Sequence, residues 1–490
     1  MSTDLLSAGR ATYNKELETW ISKEMAAVDL ISAVGNLLYH KSVELVLFRN
    51  HLLDTSVSEV LKLHKYAADV VKKPIDIFAT SAIAKKLLTF DLPPAKIDVG
   101  RLSAEWLEEK NNHSSMTAFI HSKIGHMEGA EDARDSEPRD VVLYGFGRIG
   151  RLAARELIQQ FGKGQQLRLK AIVTRRVNDE EIIKRANLLR MDSVHGSFPG
   201  TVVPDLDRKA LIINGQIVKM IEAPSPDQIN YEDYGISKAL LIDNTGAFRD
   251  RDALSLHLKS KGISKVILTA PGKEIPNVVY GVNHLGLNIE DEDIYSAASC
   301  TTNAISTVLH VIENKFGVEK GHIETVHAYT NDQNLLDNFH KKERRGRSAA
   351  VNMVITETGA GKAIVKVIPS LADKLTANAV RVPVPNGSLA IMSLTLKRET
   401  SVEEINEVVK DAALSGDLVN QIKYSIEPEL VSSDIVGDTC CSVFDSPATL
   451  IHPDKKNVVL YVWYDNEYGY TKQVIRLGKY VAKVRRLHYY

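Results

Sequence analysis

Three residues in this sequence stand where covalent or phosphate chemistry is expected. Cys300 lies in Ser299-Cys300-Thr301-Thr302-Asn303, just ahead of Ala304 to Phe316, which reads as a helix. Ser299, Thr301 or Thr302 can cap that helix, so the thiol sits at or near its N-terminus, where the dipole and free amides favour thiolate. A lone cysteine is more often a small buried hydrophobe than a nucleophile. Its polar company and a partner downstream tilt the reading here. That partner is His327, in Thr325-Val-His327-Ala-Tyr-Thr330, a run that reads as strand. It is either a core histidine or the base of a thiolate–imidazolium couple. Arg381, between Val380 and Val382-Pro383, is a charge among apolar residues and needs an anionic partner, a phosphate or a structural carboxylate. The basic run Lys341 to Arg347 reads as solvated, and Cys440 and Cys441 as structural.

A second chemical signal is Gly145-Phe-Gly147-Arg148-Ile149-Gly150, between the apolar run Val141 to Tyr144 and a helical run from Arg148 to about Phe161. In a strand–turn–helix setting the first glycine allows the tight turn and the second lets backbone approach a pyrophosphate. The third allows close packing of helix on strand. A G-x-G-x-x-G alone is weak evidence; this context makes it a dinucleotide site. The next strand, Leu167 to Val173, runs into Thr174-Arg175-Arg176, where an NAD-binding chain usually carries Asp. Either the arginines hold the 2′-phosphate of NADP, or they are solvated and Asp179 or the backbone serves NAD. No metal-ligand set stands out.

The elements that position these residues fall into distinct stretches. Residues 1–127 read as a helical N-terminal extension: Trp20, Met25, Val28, Ile31, Val34 and Leu38 recur at helical spacing, Asp54, Thr55 and Ser56 offer caps before Val60 to Ala68, and a third run starts near Ser103. Residues 128–138 are charged, poor in large apolar groups and end in Pro138, as a linker does. Alternating strand and helix over 139–299 imply an α/β Rossmann-type NAD(P)-binding domain with a parallel sheet. Residues 300–470 hold a long helix and then β-rich runs such as Ala390 to Leu396 and Val458 to Trp463, an α+β catalytic domain. Residues 471–490 read as a C-terminal helix that packs on the Rossmann domain. The fold class is thus α/β, a Rossmann-type domain plus an α+β catalytic domain, preceded by an all-α extension.

With 490 residues and 44% hydrophobic content, the chain can bury two or three cores. Its 61 Lys and Arg balance 62 Asp and Glu, which argues against nucleic acid or an acidic membrane as main partner. Three cysteines imply no disulfide framework and suit a reducing cytosol, and no leader or span is evident, so a cytoplasmic protein is expected.

In this order the motifs resemble phosphorylating glyceraldehyde-3-phosphate dehydrogenases. The match runs through Gly145 to Arg151, Asp192-Ser-Val-His-Gly196, Ala270-Pro271, Gly281-Val-Asn-His284 and Ser299 to Asn303. It continues through His327 to Gln333, Thr358-Gly359, Arg381-Val-Pro383, Ser432 to Thr439 and Trp463 to Tyr470. It covers about residues 139 to 490. The resemblance implies that Cys300 adds to the aldehyde carbon of glyceraldehyde 3-phosphate while His327 takes its proton. After hydride loss, inorganic phosphate cleaves the resulting thioester. It implies a substrate-phosphate site at Thr330 and Arg381, and an inorganic-phosphate site at Ser299, Thr301, Thr358 and Gly359 with Arg345. It places the cofactor, NAD or NADP, against Gly145, Gly147, Arg148, Ile149, Gly150, Thr174, Arg175, Thr269, Asn466 and Tyr470, and it implies a homotetramer. Tyr468 stands where tryptophan is usual, and Ala304 where cysteine is common. Erythrose-4-phosphate oxidation, or a regulatory homologue without the chemistry, are the rival readings. The extension has no counterpart in ordinary members, and its partner is open.

Overall fold

The computed structural model describes the backbone of residues 2–129 and 137–490, with side chains from residue 12 onward. Most of the expected linker, residues 130–136, lies outside the described residues. Two compact units result: Met1–Ser136 with Arg485–Tyr490, and Glu137–Val484.

The first unit is helical, and each of its shorter α-helices starts on a side-chain cap. Ser56 and Glu59 form a reciprocal capping box ahead of Val57–Val71. Asp76 caps Ile77–Leu87, Asp98 caps Val99–Glu109 and Ser115 caps Met116–Ile124. In the longest helix, Ser2–Lys41, the first buried residue among the described side chains is Ala26. The periodic set read as one face therefore divides. Trp20 precedes the core contact, Met25 and Val28 turn to the opposite side of the helix, and only Val34 and Leu38 are buried. The unit also contains strands that the all-α reading left out. Asn50–His51, Glu44–Leu47, Ala95–Asp98 and Leu487–Tyr489 form a four-stranded sheet in that order. Their brevity, two to four residues, leaves no period-2 signature to read.

Leu487–Tyr489 corrects the expected single C-terminal helix. The helix runs Tyr468–Val481 and ends before Lys483, which adopts φ 56°. The last residues then pair in parallel with Ala95–Asp98. Buried Arg486 reaches Glu44 at 3.0 Å, and the Tyr489 hydroxyl meets Glu105. Burial would raise the Glu44 carboxyl, but Lys96, His51 and Arg486 together hold it well below its usual range.

The second unit opens with an eight-stranded sheet whose six parallel strands run Ile294–Ser296, Ile263–Leu268, Ala239–Asp243, Arg139–Tyr144, Leu167–Thr174 and Gln216–Glu222. An antiparallel hairpin, Ala210–Ile213 with Val202–Asp205, extends the last edge. In chain order this is the 3-2-1-4-5-6 arrangement, with its crevice where Arg139–Tyr144 and Ala239–Asp243 send their crossovers to opposite sides. Helix Tyr468–Val481 packs on helix Arg148–Gln159 and strand Ile263–Leu268 of this domain. The second sheet orders Val354–Thr356, Leu375–Val382, Val318–Ala328, Ser388–Leu396, Asn457–Tyr464, Ser442–Asp445 and Ile422–Ser425. Helix Cys300–Phe316 lies on it, burying Ile305, Val308, Leu309 and Ile312 against Met392, Leu394 and Leu460.

Candidate active site

Ser299 has extended dihedrals and its hydroxyl accepts the Thr302 N–H at 3.0 Å, so the long helix begins at Cys300 itself. The preceding Ala298 is left-handed at φ 55°, a conformation costing an alanine on the order of 1 kcal/mol. Three neighbours hold that loop: the Ser296 hydroxyl takes the Ala298 N–H, Tyr470 donates to the Ala298 carbonyl at 2.9 Å, and Asn303 donates to the Ala297 and Ser299 carbonyls. The turn aims the half-buried thiol at the end of strand Val318–Ala328, where His327 Nε2 lies 3.6 Å from Cys300 Sγ.

His327 Nδ1 lies 2.7 Å from the Ala328 carbonyl, which only accepts, and 2.8 Å from Arg381 Nη1, which only donates, and Nε2 is the ring nitrogen that faces the sulfur. Burial, reinforced by the adjacent Arg381 cation, pushes the imidazole down to about 3, so it stays neutral and able to accept a proton. Burial also pushes the Cys300 thiol up, while Arg381, the Thr301 hydroxyl and the amides at the helix start pull it down. The resting pair is a thiol beside a neutral base.

Arg381 reaches this pair because strands Val318–Ala328 and Leu375–Val382 are in parallel register, His327 opposite Arg381. Its Nη1 donates to the Ala328 carbonyl at 2.9 Å. Among the described residues it has no carboxylate partner, and its Nε is a buried donor without an acceptor. A partly desolvated cation of this kind calls for an anion. The structure thus brings Ser299, Cys300, Thr301, His327 and Arg381 together. Arg345, from the run read as solvated, is buried and paired with Asp332, its guanidinium also on the Thr356 hydroxyl at 3.0 Å. Thr330 follows the histidine strand on a loop closed by Gln333 N–H on the Thr330 carbonyl. Thr358 and Gly359 start helix Ala360–Val367, the Thr358 hydroxyl taking the Ala360 N–H. A Cβ on Gly359 would meet nothing within 4 Å, so that backbone lies open.

The glycine turn fits a dinucleotide on its own geometry. Gly145 has φ 95°, and a Cβ there would press Thr245 at 2.9 Å. A Cβ on Gly150 would meet the Gly145 carbonyl at 2.4 Å, whereas one on Gly147 would meet nothing within 4 Å. No side chain caps helix Arg148–Gln159, so its first N–H groups remain free for an anion. Ile149 packs on the core, and the Thr174 hydroxyl turns back to the Arg176 carbonyl. Arg175 and Arg176 are exposed, and among the described residues neither side chain has an ion pair or hydrogen bond. Thr269 is fixed by N–H and hydroxyl to the Asp243 carbonyl. Asn466 is buried, its Oδ1 accepting from Ser388. Tyr470 is wholly buried with its hydroxyl committed to Ala298, so it acts on the cysteine loop rather than facing the crevice.

The Arg148 side chain is partnered within the protein. Its guanidinium is gripped by Asp192, with two bonds of 3.1 Å, and by Glu467. His195 adds a contact to Glu467 at 3.1 Å, and buried Asp465 takes the N–H groups of Gly437, Glu467 and Tyr468. This hub, together with Ala298, Tyr464 and Ser388, escaped the reading of the sequence. Spacing says nothing of contacts between residues 148, 192 and 467, although all three lie in quoted motifs. Among the described residues no cluster of metal-ligating side chains occurs, and no helix is long and apolar enough to cross a membrane.

Comparison with known proteins agrees with this geometry. Residues 139–251 match the glyceraldehyde 3-phosphate dehydrogenase NAD-binding domain, and residues 299–466 match the C-terminal domain of the same family. A "Glyceraldehyde-3-phosphate dehydrogenase-like protein" of Pseudomonas aeruginosa is 45% identical over 460 residues, covering 93% of this chain and 98% of its own length. That span takes in most of the N-terminal unit. The glyceraldehyde-3-phosphate dehydrogenase of Thermotoga maritima is 43% identical over 337 residues, 68% of this chain and 96% of its own. That of Zymomonas mobilis is 39% identical over 346 residues, 70% and 98%.

Proposed function

The chain belongs to the glyceraldehyde-3-phosphate dehydrogenase family, an NAD-dependent oxidoreductase family, and from that premise we propose that it is the phosphorylating enzyme, converting D-glyceraldehyde 3-phosphate and inorganic phosphate to 1,3-bisphosphoglycerate. The observation that carries this reading is Cys300 Sγ at 3.6 Å from His327 Nε2, beside an Arg381 cation that has no carboxylate partner among the described residues.

The chemistry follows from those groups. Arg381, with Thr330, takes the substrate's phosphate and sets its aldehyde carbon over the thiol. As the carbon–sulfur bond forms, the thiol proton passes to His327 Nε2, whose pKa rises once a negative oxygen develops beside it. The bound nicotinamide supplies the hydride acceptor. Loss of hydride from the carbon leaves a thioester on Cys300. Inorganic phosphate, held by Ser299, Thr301, Thr358 and Gly359 with Arg345 nearby, attacks that carbon. The carbon–sulfur bond breaks and the sulfur recovers its proton from His327. Asn466 orients the nicotinamide carboxamide, the glycine turn takes the pyrophosphate, and the assembly is a homotetramer.

The cofactor has a second reading because Arg175 and Arg176 stand exposed and unpartnered where the second strand ends. They suit a 2′-phosphate, and so NADP. Reduction followed at 340 nm with glyceraldehyde 3-phosphate, using NAD or NADP, with and without phosphate, tests both points. Phosphate-dependent turnover is expected. Turnover indifferent to phosphate would mean hydrolysis of the thioester, and turnover only with erythrose 4-phosphate would move the substrate.

A further inference from the structure

Ser388 belongs to none of the groups assigned above, yet its hydroxyl joins two of them. It opens strand Ser388–Leu396 directly after Gly387, whose φ of 86° and close approach to Ser432 turn the chain sharply. Ser388 has no exposed surface. Its Oγ accepts the Ala328 N–H at 3.1 Å, on the peptide group whose far side, the Ala328 carbonyl, holds His327 and Arg381. The hydroxyl donates to Asn466 Oδ1 at 2.8 Å. Ser388 also stands opposite Tyr464 across the sheet, and the Tyr464 hydroxyl lies 3.0 Å from that of Thr301. A hydroxyl donating to the amide oxygen fixes which end of the Asn466 side chain is the NH2, the only end that can donate to a ligand.

We propose that Ser388 is a positioning residue for the dinucleotide: by occupying Asn466 Oδ1 it fixes the amide so that Nδ2 donates to the carboxamide oxygen of the nicotinamide. This rests on the dehydrogenase reading above. Without the serine hydroxyl, Asn466 is free to rotate and to present an acceptor where the ligand also has an acceptor. The chemistry at Cys300 needs no such proton, so the two effects separate.

The variants are Ser388→Ala, which removes one oxygen, and Ser388→Thr, which retains the hydroxyl. Three readouts are taken on the full chain: kcat/KM with NAD and with its thionicotinamide analogue, dinucleotide Kd from quenching of intrinsic fluorescence, and the rate of Cys300 alkylation by iodoacetamide without dinucleotide. For Ser388→Ala, kcat/KM with NAD is expected to fall about tenfold and Kd to rise several-fold. With the thio analogue, whose sulfur accepts hydrogen bonds poorly, the fall should shrink to about twofold. Alkylation should stay within about twofold of the parent, and Ser388→Thr should recover most of the loss. Parental kcat/KM and Kd in Ser388→Ala would overturn the proposal. So would an equal loss with both dinucleotides accompanied by slowed alkylation, the mark of a merely structural role. If the parent oxidises no aldehyde, the dehydrogenase reading fails, while the Kd comparison still decides the role of Ser388.

Discussion

Arg148 and Arg381 both sit within the second unit, and both lie in stretches matched to the same family, but their surroundings are opposite. Arg148, at the start of the Rossmann helix, is bonded to two carboxylates, Asp192 and Glu467, and these hold its proton more firmly than usual. Arg381, near the end of the strand next to one edge of the catalytic sheet, meets a carbonyl, a histidine ring and a thiol, and burial pulls its pKa down. A half-buried cation with its anions in place is part of the scaffold. One without them carries a desolvation cost that only a ligand relieves. In the first unit Arg486, clamped to Glu44, repeats the scaffold case. The comparison separates an arginine satisfied by carboxylates of the protein from one that is not, without reference to any relative.

The largest effect expected is on Arg381→Leu. Removing the cation should lower kcat/KM for the phosphate-bearing aldehyde by two to three orders of magnitude, the worth of about 3–4 kcal/mol of charge-assisted bonding. Thermal stability should hold or rise, because a half-buried charge without a carboxylate among the described residues is lost. A drop in Tm of several degrees with kcat/KM within a few-fold of the parent would place Arg381 in the scaffold instead.

Arg148→Leu should do the reverse. Orphaning Asp192 and Glu467 is expected to cost roughly 3 kcal/mol, the low end for breaking a buried pair, read from chemical denaturation. Its pH dependence is specific. Burial alone would raise Asp192, but the His195 and Val194 N–H groups and Arg148 bring it below the ordinary 3.8. His195 and Arg148 likewise bring Glu467 below 4.5. Carboxyls depressed in the folded state contribute stability that is present above those ordinary values and lost as pH falls through the folded ones. The parent should therefore weaken below about pH 4 with a slope that Arg148→Leu flattens. An unchanged acid limb would show that the backbone amides alone hold Asp192.

The contrast also marks what the sequence could reveal. Cys300, His327 and the glycine turn were legible because helix starts, strand runs and turn glycines are local, with their reasons within a few residues. Arg381 was legible as a charge among apolar neighbours. The fold class of the second unit followed from alternating periods over some 160 residues. The missing parts are the non-local ones. Arg148 stands in a local motif, whereas its partners at 192 and 467 are remote. The Leu487–Tyr489 strand is three residues long and pairs with residues nearly four hundred positions earlier, which no period reveals. Trp20 and Met25 have helical spacing but lack the core to meet it, since spacing fixes a face and not its partner.

A smaller effect bears on the charge that Arg381 lends to the thiol. His327, held near 3, stays neutral above about pH 4, so alkylation of Cys300 by iodoacetamide should rise along one thiol titration with no step near 6.5. Since the Arg381 cation pulls the thiol down against burial, Arg381→Leu should move that inflection to higher pH and slow alkylation at pH 7. An inflection that stays put would assign the thiol's tuning to the helix amides.

The smallest effect concerns Arg175, an arginine that, like Arg381, has no carboxylate partner among the described residues but is solvated. Exposed charges are screened, so its bond to a 2′-phosphate is worth about 1 kcal/mol rather than 3–4. Arg175→Ala should raise KM for NADP by about fivefold at low ionic strength, less at 0.5 M salt, and leave KM for NAD unchanged. The salt dependence separates it from Arg381, whose desolvated site should keep its full effect in salt. Equal changes for both dinucleotides would remove Arg175 from the selectivity argument and leave the end of the second strand to NAD.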